Sequence, residues 1–293
     1  MVAHILSIIA PVFLIALLGY LWAWRKMAFD TPMVTQLTVL VTTPCLVIDT
    51  FLRADLTLSA FSDMVVASLL LYAAMTVVGF LALLALDWPQ RHFLPSLIFG
   101  NTGNMGLPLC LFAFGEPGLA LGITLFAVAT ILNFTLGVSI AAGSASPKQM
   151  VRMPILYAVA IAVFLMATGL RPPSWLEETL ALLAGVSIPL LILALGVSLA
   201  RLSIASMGQA LVLSIIRIGV GGSLGFLIAW ALDLQGLERD VLILQSAMPV
   251  AVFNFLFAER YTRAGQQVAG VVLVSSLLSI VTTPLLLWYL LPG

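Results

Sequence analysis

Charge is what this sequence has least of. Only 8% of its 293 residues are Asp, Glu, Lys or Arg, as twelve acids and twelve bases. A soluble domain carries roughly 25% charged residues, because its surface must be wetted. So few charges cannot coat a water-facing surface of this size, and lipid is the solvent for most of the chain. The net charge of zero argues against a nucleic-acid partner, which would need a basic face. Cysteine is scarce as well. Cys45 and Cys110 lie in apolar stretches and have no metal-ligand spacing. The two histidines, His4 and His92, are isolated, so no cluster for metal or base chemistry exists. No phosphate loop, His-Glu-x-x-His or Gly-x-Ser-x-Gly occurs. ATP-driven pumping by this chain alone and intramembrane hydrolysis are therefore unsupported. The expectation is a protein that is not an enzyme, with no cofactor and no metal.

Apolar residues are abundant, at 62% of the chain with a mean hydropathy of +1.19. A spanning helix needs about 20 mostly apolar residues. Ten such segments occur: 3–24, 31–53, 60–86, 92–114, 118–143, 150–170, 175–200, 206–232, 239–259 and 266–291. Arg25–Pro32, Ser144–Pro154 and Arg171–Glu178 punctuate them as polar, Pro-bearing turns. The first stretch runs to Trp24 with no basic n-region, which reads as a retained span rather than a cleaved signal peptide. No long polar segment suggests a soluble domain. The expected class is an all-α polytopic protein of the cell (inner) membrane.

Lys and Arg counts in short loops set the orientation. With the N-terminus outside, the inner loops hold Arg25, Lys26, Arg91, Lys148, Arg152, Arg201, Arg260 and Arg263. The outer loops hold Arg53, Arg171 and Arg239. Eight against three predicts both termini on the non-cytoplasmic side.

The chain resembles itself at an offset of roughly 145 residues. Pro44 in Val-Thr-Thr-Pro-Cys-Leu-Val-Ile matches Pro189 in Val-Ser-Ile-Pro-Leu-Leu-Ile-Leu. Ala85-Leu86-Asp87 matches Ala231-Leu232-Asp233, and Pro108 matches Pro249. Residues 1–145 and 146–293 then form two five-helix repeats. An odd number of spans makes the second repeat enter from the opposite side, an inverted plan that recurs in alternating-access transporters.

Segment four holds the densest break, Gly100-Asn101-Thr102-Gly103-Asn104-Met105-Gly106-Leu107-Pro108. Proline removes a backbone donor and glycine relaxes the helix, so the run should interrupt it. Freed backbone groups cannot face lipid and must line an enclosed or wet cavity. Half-helix N-termini there suit an anion, with Asn101, Asn104 and Thr102 as neutral donors. Segment nine is leaner. Pro249 is its breaker, with Gln245 and Ser246 before it and Asn254 after. Arg217 lies near the centre of segment eight, where a lone charge is expensive. It either attracts an anion, or sits against carbonyls freed by the broken helices as a structural counter-charge. Asp49 in segment two either carries a coupling proton or pairs with Arg53 four residues on. Asn133 in segment five either faces the crossing or makes an interhelical hydrogen bond.

At segments four and nine the sequence resembles the auxin efflux carrier family, which includes plant auxin carriers and bacterial permeases for small organic acids such as malonate. The resemblance rests on Asn101-Thr102-x-x-Met105-Gly106-Leu107-Pro108-Leu109 and on Gln245-x-Ala247-x-Pro249 followed by Phe255-x-Phe257-Ala258-x-x-Tyr261. It implies a fold like that of the bile-acid sodium symporters. Helices 1, 2, 6 and 7 would form a scaffold, and helices 3–5 and 8–10 a mobile transport domain. Helices 4 and 9 would cross at Pro108 and Pro249, with the substrate carboxylate near Asn101. A homodimer paired through the scaffold is also implied. The link between helices five and six, Ser144 to Met150, is short like that of the small bacterial type. The sodium symporters carry an acid in the helix-nine crossover, where this chain has Met248 and Val250. The expected function is elevator-like transport of a small organic anion, a mono- or dicarboxylate. The alternatives are a sodium-coupled symporter of larger amphipathic acids and a membrane sensor or partner subunit without flux.

Overall fold

The computed structural model describes residues 2–54, 56–143 and 153–291. Every element among them is helical. The elements are α1 (Val2–Trp24), α2 (Thr31–Leu37), α3 (Thr43–Arg53), α4 (Leu58–Ala85), α5 (Gln90–Ile98), α6 (Leu107–Leu132) and α7 (Val138–Ala142). They continue with α8 (Pro154–Thr168), α9 (Ser174–Arg201), α10 (Met207–Ala231), α11 (Gly236–Ser246), α12 (Val252–Tyr261) and α13 (Gly265–Leu290). Three π-helical turns, Thr38–Thr42, Thr102–Gly106 and Asn133–Gly137, join α2 to α3, lead into α6, and join α6 to α7. The expected boundary between the halves at 145/146, the short link from Ser144, and the inner-loop Lys148 and Arg152 lie outside the described residues.

Among the described residues seven helices are long and apolar enough to cross a membrane by length and composition, so this is a multi-pass integral membrane protein. One of them, the 41-residue stretch Thr102–Ala142, is not a single rod. Gly115 takes φ 68°, ψ −164°, outside any helix. A Cβ on Gly122 would lie 3.0 Å from Cys110 Sγ. Twelve helical residues would span about 18 Å, so the chain doubles back at Gly115. Segment six is a shorter apolar helix, Pro154–Thr168. Segment nine is two short helices, α11 and α12, with the gap at Pro249.

Local chemistry explains the helix ends. Asp30 accepts the Met33 N–H and Pro32 sits in the first turn of α2, where its missing donor costs nothing. Thr57 caps α4 through the Ala60 N–H. Many interior hydroxyls bond back one turn, as Ser68 does to Met64 O (2.6 Å) and Thr124 to Ala120 O (3.0 Å), which satisfies them within an apolar bundle. The end of α4 and the end of α10 share one cap. Asp87 (φ 55°) and Asp233 (φ 52°) are both left-handed. The Trp88 N–H reaches Leu83 O, and the Leu234 N–H reaches Ala229 O, each at 2.9 Å.

Packing falls into two groups. The α1 helix lies against α9, and α3 against both α8 and α9. The α1–α9 approach is backbone to backbone, since a Cβ on Gly19 would overlap Leu193 O and one on Gly196 would overlap Ala16 O. Small residues at a crossing are how membrane helices gain close van der Waals contact. The second group joins α4 to α5 and α6, α10 to α11 and α13, α12 to α13, and α11 to α6.

Candidate functional site

The two interrupted helices meet where each lacks a helical backbone. Gly100 and Val250 form an antiparallel bridge. The Asn101 N–H donates to Pro249 O (2.6 Å), and the Ala251 N–H donates to Phe99 O (3.2 Å). Backbone groups released by one break are thus satisfied by the other, which lipid could not do. Asn254 adds a bond from Nδ2 to Phe99 O (2.9 Å), and the Val250 N–H donates to Ser275 Oγ (3.0 Å).

Pro249 stands at this crossing, as expected. Pro108 does not. It is buried in the first turn of α6, eight residues past Gly100. The helix already runs from Thr102, so the proline removes one donor there, and the π turn Thr102–Gly106 absorbs the ring's clash with the preceding turn. Pro44 repeats the arrangement behind the π turn Thr38–Thr42. The break itself falls at Gly100. A Cβ there would overlap the Arg217 guanidinium and lie 3.0 Å from Met248 O.

Arg217 is 2% exposed, and its Nη1 donates to Ser246 O at 2.8 Å. That carbonyl ends α11, where the helix dipole is negative. The cation therefore braces the crossing from behind Gly100. Of the two sequence readings, the geometry matches the one that sets Arg217 against freed carbonyls. The other segment-nine polar groups serve the same brace. Ser246 Oγ donates to Ile243 O (2.8 Å), and Gln245 Nε2 reaches Cys110 Sγ (3.4 Å) between Gly106 and Gly122.

On the opposite face of Gly100 lies a cavity of about 320 Å³. Asn101, Thr102, Asn104 and Asn133 line it, from the first break and the π turn that follows α6. Gln245, Ser246, Pro249, Asn254, Arg217 and Pro108 are not among its walls, and neither is Asp49. Asp49 is paired with Arg53 Nε at 2.9 Å, one helical turn away. The cavity also recruits groups that the sequence reading missed. Thr35, Thr38 and Thr43 come from segment two, Thr130 from α6, and Phe126, Phe134 and Phe253 supply apolar walls. No local sequence signal marks them; the structure places π turns at Thr38–Thr42 and Asn133–Gly137 beside them. None of the described lining residues is charged.

Two side chains at this cavity are incompletely satisfied. Asn101 is 4% exposed and its Nδ2 has no partner. Asn133 is 6% exposed and its Oδ1 has none. A buried polar atom without a partner costs about 1–3 kcal/mol; of the two, Asn101 Nδ2 is a donor and suits an anion oxygen, while Asn133 Oδ1 is an acceptor and calls for a proton-bearing partner. Beside them the helix that starts at Thr102 presents first-turn N–H groups without intrahelical acceptors. Such an end, with neutral donors and no acid, can hold an anion without forming a salt bridge. Among the described residues no group of three or more metal-ligating side chains occurs.

A family profile described as "Membrane transport protein" matches residues 4–152 and 143–287. An uncharacterized transporter of Methanothermobacter thermautotrophicus is 27% identical over 271 residues, covering 87% of this chain and 88% of that one. An uncharacterized transporter of Methanocaldococcus jannaschii is 27% identical over 205 residues, 66% of each chain. A Rhizobium meliloti protein provisionally named a malonate transporter is 25% identical over 211 residues, 67% of this chain and 65% of that one.

Proposed function

The chain belongs to the membrane transport protein family, the auxin efflux carrier family that its motifs resemble, and from that premise we propose that it is a secondary transporter of a small organic anion. The observation that carries the anion is Asn101, a buried donor without a partner in a neutral cavity beside a helix N-terminus. A carboxylate oxygen satisfies that donor and is favoured by the dipole. The substrate is a mono- or dicarboxylate, and the malonate named for the Rhizobium relative is the first to try.

The movement is elevator-like alternating access. Its support is the packing in two groups, with the cavity bounded by the crossing on one side and by segment two and α9 on the other. Helices 1, 2, 6 and 7 are then the scaffold and the rest the transport domain. The matched caps at Asp87 and Asp233, each followed by a short helix and a break, support two inverted repeats. The reading includes both termini on the non-cytoplasmic side of the inner membrane and a homodimer through the scaffold. Arg217, a fixed cation on the Ser246 carbonyl, favours transport without sodium over the sodium-coupled alternative.

Uptake of labelled malonate and acetate into proteoliposomes, with proton and sodium gradients imposed separately, tests this. Carboxylate flux indifferent to sodium is expected. Absence of flux for every carboxylate, with binding intact, would leave the sensor reading in its place.

A further inference from the structure

A second cavity of about 180 Å³ adjoins the central one and shares Thr35, Asn104, Ala194 and Phe253 with it. Its outer wall carries Arg201, the one charged side chain among the described lining of either cavity. Arg201 is exposed at the end of α9. Its guanidinium rests on neutral acceptors only. Nη1 donates to Thr31 Oγ1 (2.8 Å) and Nη2 to Phe29 O (3.2 Å). Among the described residues no carboxylate lies within 4.0 Å of it. The adjacent acid, Asp30, points its Oδ1 to the Met33 N–H instead. Two bonds thus fix an unneutralised, pre-aimed cation where the path to Asn104 meets solvent. Thr35 and Ser198 add hydroxyls along the same path.

From this we infer that the Arg201 cavity is a second anion-binding site, a peripheral station that captures a carboxylate before it reaches Asn101. A planar guanidinium with free donors recognises an oxyanion, and here it has no competing acid. Attraction at the mouth of a neutral cavity raises the local concentration of anions, an effect that falls with salt. The station's part in transport rests on the function proposed above; its occupancy by an anion does not. A lipid phosphate offers the same oxyanion chemistry, and the test separates the two.

The full-length chain in lipid-free detergent is treated with phenylglyoxal, and modification of each arginine is read by peptide mass spectrometry. Sodium malonate should slow modification of Arg201 severalfold. It should do so equally in Asn101→Ala, whose central site is disabled. An unchanged rate with malonate overturns the station, as does protection by phosphatidylglycerol alone. Flux gives a second readout in vesicles loaded from the Arg201 side. Loss of one charge-assisted contact in Arg201→Gln should raise the half-saturation for malonate about tenfold at an unchanged maximal rate. Arg201→Lys should recover part of that shift. A reduced maximal rate at unchanged half-saturation would make Arg201 a mere clamp between α9 and α2 and overturn the proposal. If wild-type protein moves no carboxylate while Arg201 is still protected, the transport reading fails and the anion site stands.

Discussion

The two broken helices meet at one bridge yet spend their polar groups differently. In the second break every named group faces inward to the protein. Ser246 O holds Arg217, Pro249 O holds the Asn101 N–H, and Asn254 holds Phe99 O. In the first break Asn101, Thr102 and Asn104 face the cavity, and Asn101 Nδ2 is left without a partner. On the proposed function, one break is the brace and the other the site. The repeat proposed from the sequence would not give them equal roles, because a crossing needs rigidity on one side to present donors on the other.

The largest expected effect breaks both at once. Gly100→Val puts side-chain atoms onto the Arg217 guanidinium and against Met248 O. Overpacking at a site with no slack costs about 1–3 kcal/mol or more, and the unpaired bridge adds to it. A fall in melting temperature, with loss of monodisperse protein, is the expected result. A variant that melts like wild type would mean the crossing is looser than described.

Arg217→Met comes next. It removes the cation but keeps much of the volume, and leaves Ser246 O without its donor, about 1–3 kcal/mol. Stability should fall while malonate affinity in the surviving folded fraction stays the same. Weaker affinity at unchanged stability would return Arg217 to the substrate. Asn254→Ala should cost about 0.5–1.5 kcal/mol by loss of its bond to Phe99 O, again without a change in affinity. The smallest effect belongs to Asp49→Asn. Its partner Arg53 is 54% exposed, and such pairs contribute about 0–1 kcal/mol. Flux in this variant should keep its full pH dependence; a flattened profile would give Asp49 the coupling proton.

The same contrast shows what the sequence could reveal. Glycines and prolines in segment four announced a break, and Asn101, Thr102, Asn104 and Asn133 do reach one cavity. The break was expected across Gly100–Pro108, with the crossing at Pro108 as the resemblance implied. Pro108 sits inside the helix behind a π turn, however, and it is Gly100 that leaves room for Arg217 at the bridge. That requirement comes from a residue more than a hundred positions away and has no local signature. Thr38, Thr43 and Thr130 were overlooked for a related reason. Isolated threonines in apolar helices usually bond back to their own backbone, and only packing shows which also border a cavity. Arg201 read as an ordinary loop charge until α9 was seen to end beside Asn104's cavity.

The central claim is that the first break binds the anion and the second only holds it in place. Malonate counterflow in proteoliposomes, with Asn101→Ala beside wild type and each melted to verify folding, tests it most directly. The account predicts that Asn101→Ala melts within a few degrees of wild type and loses flux. Normal flux through Asn101→Ala would contradict it.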